Sequence, residues 1–564
     1  MKQICCLLFL LSLSAGCAWK GYDRGEIFYF LIPDYPKAFA FLDLPDPHPY
    51  IDRARDHLKE GRYDQAISQF DKALEIISQQ EEFLQSAGVK PTKCTVILTP
   101  RCISSLYMDR GVCYFRKGML DRALIDLEKA LLLRPDNESA LVAKGVVYTN
   151  KGEYDRALRD FDKALRLDSK DAYAYVNRGN LYERKGQIAA AISEYTLAIQ
   201  YDPKFATAYY GRGLLYEKAG MRDEAFADFD RAIDLAPSYA EAYVGRGYAR
   251  INAGRLSEAL VDLNRALEID PLNVYAYIDR GNVFRMQGQL DRASADLDRA
   301  MELSPENSAV YHNRGLLARD KGASDQAIRM FSRAIELDPS NKWAHSERGL
   351  QYFFLKEYAR AVLDFDAALK TDPAHFDALQ GRGAIRLLEG MYDAAIIDYD
   401  RIISVDPENF IAFMNRGIAL SIKGENDEAL KDLNKAVELQ PENPEAHYNR
   451  GTVLRNLCRF DEALSDVSRA ILINPGHAGA YKERGYLSLL KGLPGEALSD
   501  IRHALGIDPE DAEAHFFLGE ALREKGEKAE AIKAYEDAVR LSPEKVPYKG
   551  QAEERLQELK RKER

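Results

Sequence analysis

Between residues 104 and 545 the apolar and polar positions follow a helical rhythm that breaks and resumes with a period of 34 residues. From Asp171 to Pro203 apolar residues fall three and four apart on both sides of Gly186, which predicts a helix, a tight turn and a second helix. Gly186 stands where the first helix ends and a left-handed residue is least costly; Pro203 stops the second helix and opens the next unit. The unit recurs without a slip. Gly returns thirteen times, from Gly111, Gly145 and Gly179 to Gly485 and Gly519. An Ala follows each of them twelve residues later, from Ala123 to Ala531, and a second Ala seven further on in every copy except the one carrying Ile402. Pro closes each unit from Pro135 to Pro543, with Ser169 the only departure.

Tyr175, Gly179, Tyr182, Gly186, Ala191, Tyr195, Ala198 and Pro203 together resemble the signature of the tetratricopeptide repeat. The resemblance implies an all-α fold, a right-handed superhelical solenoid of about 14 helix-turn-helix repeats. Small residues are needed where the two helices of a unit cross, because a larger side chain at Gly179, Ala191 or Ala198 would push the axes beyond the usual ~8–10 Å. Lys356 and Cys458 replace the turn Gly, so those two turns are expected to be strained.

Thirteen units cover residues 104–545, and Gly61, Ala66, Phe70 and Ala73 mark a degenerate first repeat over 47–80. Residues 81–103 read as an inserted loop, in which Cys94 and Cys102 form either a disulfide or two free thiols. Ala552, Leu556 and Leu559 give a capping helix within 546–564. The residue before the repeated Gly is basic in twelve of thirteen units, Arg110 and Lys144 to Arg484, and an acid stands sixteen residues later in eleven. If residues sixteen apart face each other across the hairpin, each unit holds a partly buried ion pair; the alternative is an i, i+3 pair along the second helix, such as Asp126 with Lys129. The joint loss of both charges at Leu518 and Ala534 favours the first.

Composition narrows the function. With 46% apolar and 30% charged residues the chain is neither disordered nor a polytopic membrane protein, and a net charge of −11 argues against a phosphate backbone as partner. No HExxH, GxSxG, Walker or dinucleotide motif occurs, so no catalytic residue, metal site, cofactor or small-molecule substrate is expected. His345, His447 and His515 take the place of the core aromatic residue Tyr175 and read as packing residues.

The first seventeen residues, ending in Ser14, Ala15, Gly16 and Cys17, have the grammar of a signal peptide over 1–16. They resemble the bacterial lipoprotein signal, which implies lipid attachment at Cys17, with 17–46 as a tether and the protein held at the outer membrane facing the periplasm. Ser14 stands where that family prefers Leu, so secretion without lipid is the alternative.

In the family, the concave face is lined by positions 2, 5, 9, 12 and 13 of each first helix, counting Ala172 as position 1 in its unit. This implies a groove for an extended or helical segment of a partner protein. The family's Lys and Asn carboxylate clamp is absent: Lys482 is the only Lys at position 5, and its unit has Tyr486 at position 9. Asn177, Asn313, Asn415 and Asn449 recur at position 6 as a weak ladder. In repeats 9 to 11 the lining turns apolar, with Trp343, Phe353, Phe354, Leu387, Leu388 and Ile422, and these are the expected partner-binding residues; position 12 also lies near the next helix, where its side chains would tuck between units. A glycan-binding protein using Tyr210, Tyr248 and Trp343 is the second reading, and a hydrolase or transferase built from scattered acids the third.

Overall fold

The computed structural model describes residues 45–86, 98–543 and 547–561, and these contain 29 helices and no strand. The helices pair in order as antiparallel hairpins. Hairpin 1 is α1 (His48–Lys59) with α2 (Tyr63–Ser86), and hairpin 14 is α27 (Ala512–Lys525) with α28 (Lys528–Leu541), followed by the single helix α29 (Pro547–Arg561). We call the first helix of each hairpin A and the second B. Helix α2 runs six residues past position 80 and α3 (Pro100–Arg116) begins at Pro100, so both ends of the inserted segment are helical. The expected signal peptide, Cys17, most of the tether and Cys94 lie outside the described residues. Cys102 is buried in the first turn of α3.

The residues form two compact units that part within α13 (Val274–Met286), between Val283 and Phe284. Inside each unit most helices A touch the next helix A, whereas no two successive helices B meet among the described residues. The A layer is therefore the closely spaced inner face of each unit, and the B layer is the outer one. Asn and Asp before helix A, such as Asn137, Asp171, Asn341 and Asn443, accept a hydrogen bond from the backbone of the first turn and fix where each helix starts. The turn after helix A is left-handed throughout, with Gly at most positions and with Lys356 (φ 60°) and Cys458 (φ 58°) as the two non-Gly residues, the strained turns expected from the sequence.

The core repeats with the chain. Ala123, Ala157, Ala191 and their successors are fully buried, and the aromatic or aliphatic side chain four residues on, such as Phe161, Tyr195 or Phe365, fills the space above the repeated Gly. A Cβ added at Gly315 would lie 2.4 Å from the ring of Phe331, and one at Gly145 2.7 Å from Phe161, so these sites accept no side chain without repacking.

The basic residue before that Gly pairs across the hairpin rather than along helix B. Arg110 donates through Nε and Nη2 to both oxygens of Asp126, at 2.6 and 2.7 Å, and the same fork joins Arg178 to Glu194, Arg246 to Asp262 and Arg416 to Asp432. A second contact was not foreseen. The remaining Nη1 reaches back to helix B of the preceding hairpin, sixteen residues from Arg178 to Asp162, Arg246 to Asp230 and Arg382 to Asp366, and thirty-nine from Arg110 to Asp71 across the inserted segment. Each guanidinium thus staples two hairpins, and since Asp126 and Asp262 are 2% and 1% exposed, desolvation offsets much of the attraction and the fork mainly sets register.

Candidate functional site

Position 4 of helix A is a further structural post. The Tyr175 hydroxyl donates to the Ser169 carbonyl, and Tyr209, Tyr243, Tyr277 and Tyr311 donate in the same way to the closing Pro six residues earlier. His345 and His447 keep that link through Nε2 to Pro339 and Pro441, and their Nδ1 faces Asp364 and Asp466 at 3.1 and 3.2 Å. Burial alone would push these two carboxyls up; hydrogen bonds from Arg348 and His345, and from Arg450 and His447, outweigh it and hold both below the usual carboxylate range. These histidines are packing residues, as their spacing predicts.

The inner face differs sharply along the chain. In the first unit polar side chains predominate at position 13 and around a cavity of about 570 Å³, lined by Val146, Thr149, Asn150, Asn177, Asn180, Glu183, Arg184 and Lys218 from hairpin 3 (α5, Glu138–Asn150) to hairpin 5 (α9, Ala206–Lys218). Its amides are partly spent within the fold. Asn177 donates to the Tyr173 carbonyl of its own helix, and Asn180 accepts from the Tyr195 hydroxyl at 2.5 Å. Asn313 and Asn449 also bond back to their own helices, so the position-6 asparagines do not form a continuous reading ladder. Lys482, at the clamp position, is held by Asp511 and Glu513, both at 2.8 Å.

In the second unit the face becomes apolar over hairpins 9, 10 and 11, whose A helices are α17 (Lys342–Phe354), α19 (Phe376–Leu388) and α21 (Phe410–Ile422). Phe354, Leu388 and Ile422 share position 13 and are 74%, 65% and 54% exposed. Trp343, at position 2, is also exposed, with its ring edge-on to His375 at 4.6 Å and the Lys342 ammonium 5.1 Å from the ring centre. Phe353 and Leu387, at position 12, are half-buried and pack on the core that contains Ala361, Phe365 and Leu379. The structure therefore separates the six expected residues: Trp343, Phe354, Leu388 and Ile422 are exposed, and Phe353 and Leu387 pack on the core. A turn of about 100° per residue accounts for the split. Of the glycan-reading aromatics, Tyr248 is exposed, but Tyr210 is packed between Phe229 and Tyr239, with ring centres 6.2 and 5.2 Å away. Its ring is half-buried.

Models described as "TPR repeat" match residues 145–186, 184–220, 247–288 and 419–457, and models described as "Tetratricopeptide repeat" match 104–137, 206–239, 278–342, 347–410, 444–477 and 484–545. Together they take in well over half of the sequence. The chain belongs to the tetratricopeptide repeat family. Among solved structures it is similar to one titled the crystal structure of the APC/C hetero-tetramer Cut9-Hcn1, with a TM-score of 0.52 and 17% identity over 86% of this chain and 98% of that one, a likeness of fold alone. A tetratricopeptide repeat protein from Parabacteroides merdae aligns with 23% identity and a TM-score of 0.38 over 44% of this chain and 98% of its own. A curated relative, "Protein CTR9 homolog" of Arabidopsis thaliana, is 26% identical over 136 residues, which is 22% of this chain and only 12% of that protein.

Proposed function

We propose that this tetratricopeptide repeat chain is a protein–protein interaction scaffold, not an enzyme, and that it captures a segment of a partner polypeptide on the inner face of hairpins 9 to 11. One observation carries the reading. At position 13 hairpins 3 to 6 carry Asn150, Arg184, Lys218 and Asn252, all exposed, and fold with them, so the fold makes no demand for an apolar side chain there. Phe354, Leu388 and Ile422 are nevertheless apolar and open to solvent in three successive hairpins. An uncompensated apolar run of this kind is stabilised only when a partner covers it. The signal-like sequence before Cys17 supports a place in a bacterial cell envelope, with the chain tethered to the outer membrane through lipid on Cys17.

The test pairs Phe354→Glu with Leu388→Glu. Affinity capture from envelope extracts should retain a polypeptide on the wild type and lose it on the double variant, with circular dichroism and melting unchanged. Collapse of the fold would show that the two side chains are core, and retention on peptidoglycan with no protein bound would favour a glycan-binding role through Trp343 and Tyr248. Radiolabelled palmitate on the wild type but not on Cys17→Ser tests the anchor.

A further inference from the structure

The second unit closes on a cavity that the apolar run does not reach. It measures about 580 Å³ and lies among α23 (Pro444–Asn456), α25 (Ala478–Leu490), α27 and the final helix α29. Its walls are aromatic. Tyr486 and Phe517 stack with ring centres 4.3 Å apart and planes 11° apart, and Tyr548 of α29 lies nearly parallel to Phe516 at 6.4 Å. Phe516 and Phe517 occupy positions 5 and 6, where most hairpins carry one polar residue or more, and each is under 10% exposed.

The polar groups around this cavity carry more negative than positive charge. The two arginines that line it are spent on neighbours: Arg455 is bound to Glu483 and lies over the Tyr486 ring at 5.2 Å, and Arg555 bonds Glu520 at 3.3 Å, which Arg523 also reaches at 2.7 Å. Glu513 shares the single ammonium of Lys482 with Asp511. Glu524 lines the cavity, is exposed and has no ion-pair partner among the described residues. The local potential is felt by neighbouring groups. Tyr548 is pushed up by burial and then by Glu513 and Asp511, and Glu483 is pushed up by burial and, in part, by Glu513.

Flat ring faces beside an uncompensated carboxylate suit a planar, delocalised cation better than a compact ammonium, because a guanidinium is weakly hydrated, stacks on aromatic rings and offers a fork to carboxylates. We propose that this cavity binds an arginine side chain presented by a partner polypeptide, the guanidinium resting on the half-buried Tyr548 ring, which Phe516 backs, and pairing with Glu524 and Glu513. The inference rests on the proposed function only for the partner being a polypeptide. It assigns a second contact at the far end of the same unit, one that reads charge where hairpins 9 to 11 read apolar surface.

Fluorescein-labelled peptides Gly-Gly-X-Gly-Gly, with X arginine, lysine, glutamine or glutamate, titrated with the full chain and read by polarisation, test this without the natural partner. The arginine peptide should bind about tenfold tighter than the glutamine peptide and tighter than the lysine one. Glu524→Lys, a change at an exposed residue, should abolish that preference with helicity intact, and Phe354→Glu should leave it as it was. Equal binding of arginine and glutamine, equal binding of arginine and lysine, tightest binding of glutamate, or a preference that survives Glu524→Lys would each overturn the assignment. Because Phe354→Glu bears only on hairpins 9 to 11, loss of partner capture there with no arginine preference in the wild type would overturn the pocket and leave the proposed function standing.

Discussion

Hairpins 4 and 9 have the same length, the same register and the same guanidinium fork, yet they turn opposite surfaces to the inner face. At position 13 hairpin 4 presents Arg184 and hairpin 9 presents Phe354, both exposed. Since packing is satisfied in either case, the difference teaches that this position is free of the demands of the fold. Positions held by the fold show no such freedom: Gly145 and Gly349 each leave 2.7 Å between an added Cβ and the ring of Phe161 or Phe365.

The largest effect should come from erasing the difference. Replacing Phe354, Leu388 and Ile422 with the first unit's residues Arg, Lys and Asn should weaken partner capture by about a thousandfold or more, since exposed apolar anchors are worth ~2 kcal/mol or more each. Quantitative pull-down measures this, and thermal melting should move little.

The next comparison concerns the ion pairs. Asp364 is held below the ordinary carboxylate range by Arg348 and His345, so its stabilisation is fully present above that range and is lost as pH falls through the lowered folded value. Asp364→Asn should then cost about 3 kcal/mol of local stability at neutral pH by leaving Arg348 unpaired. In hairpin 3 Lys144 replaces the arginine and meets Asp160 at 3.3 Å through one nitrogen, and burial leaves that carboxyl pushed up. Its charge opposes folding at neutral pH and stops doing so on protonation, so Asp160→Asn should be near neutral or stabilising. Hydrogen exchange of the two hairpins across pH separates them.

Core substitutions should ignore the difference between the regions. Gly145→Ala and Gly349→Ala should each cost about 1–3 kcal/mol by overpacking, equally in both units, as read by urea denaturation. The smallest effect is a gain: Lys356→Gly relieves a left-handed Lys and should stabilise hairpin 9 by about 1 kcal/mol, whereas the equivalent turn at Gly186 has nothing to relieve.

The hairpins were legible because each is specified by contacts within 34 residues, and the unbroken Gly and Ala ladders report the close crossing directly. The cross-hairpin fork was also readable from the joint loss at Leu518 and Ala534. Its backward arm is also written in the sequence: Asp162, Thr196, Asp230, Asn264 and Asp298 are all polar sixteen residues before the basic residue. Position 12 was separable from position 13 by its nearness to the next helix, and Phe353 and Leu387 pack on the core there while Phe354 and Leu388 stay exposed. The C-terminal cavity depends on Tyr548 of α29 meeting Phe516, a contact outside the period of the repeat.

Capture of a partner by the apolar face of hairpins 9 to 11 is tested most directly by photo-crosslinking in living cells. A photoreactive residue at position 354, followed by mass spectrometry, should give one dominant polypeptide adduct, while the same residue at position 184 gives none. Adducts at 184 and none at 354, or no difference between the two positions, would contradict the account.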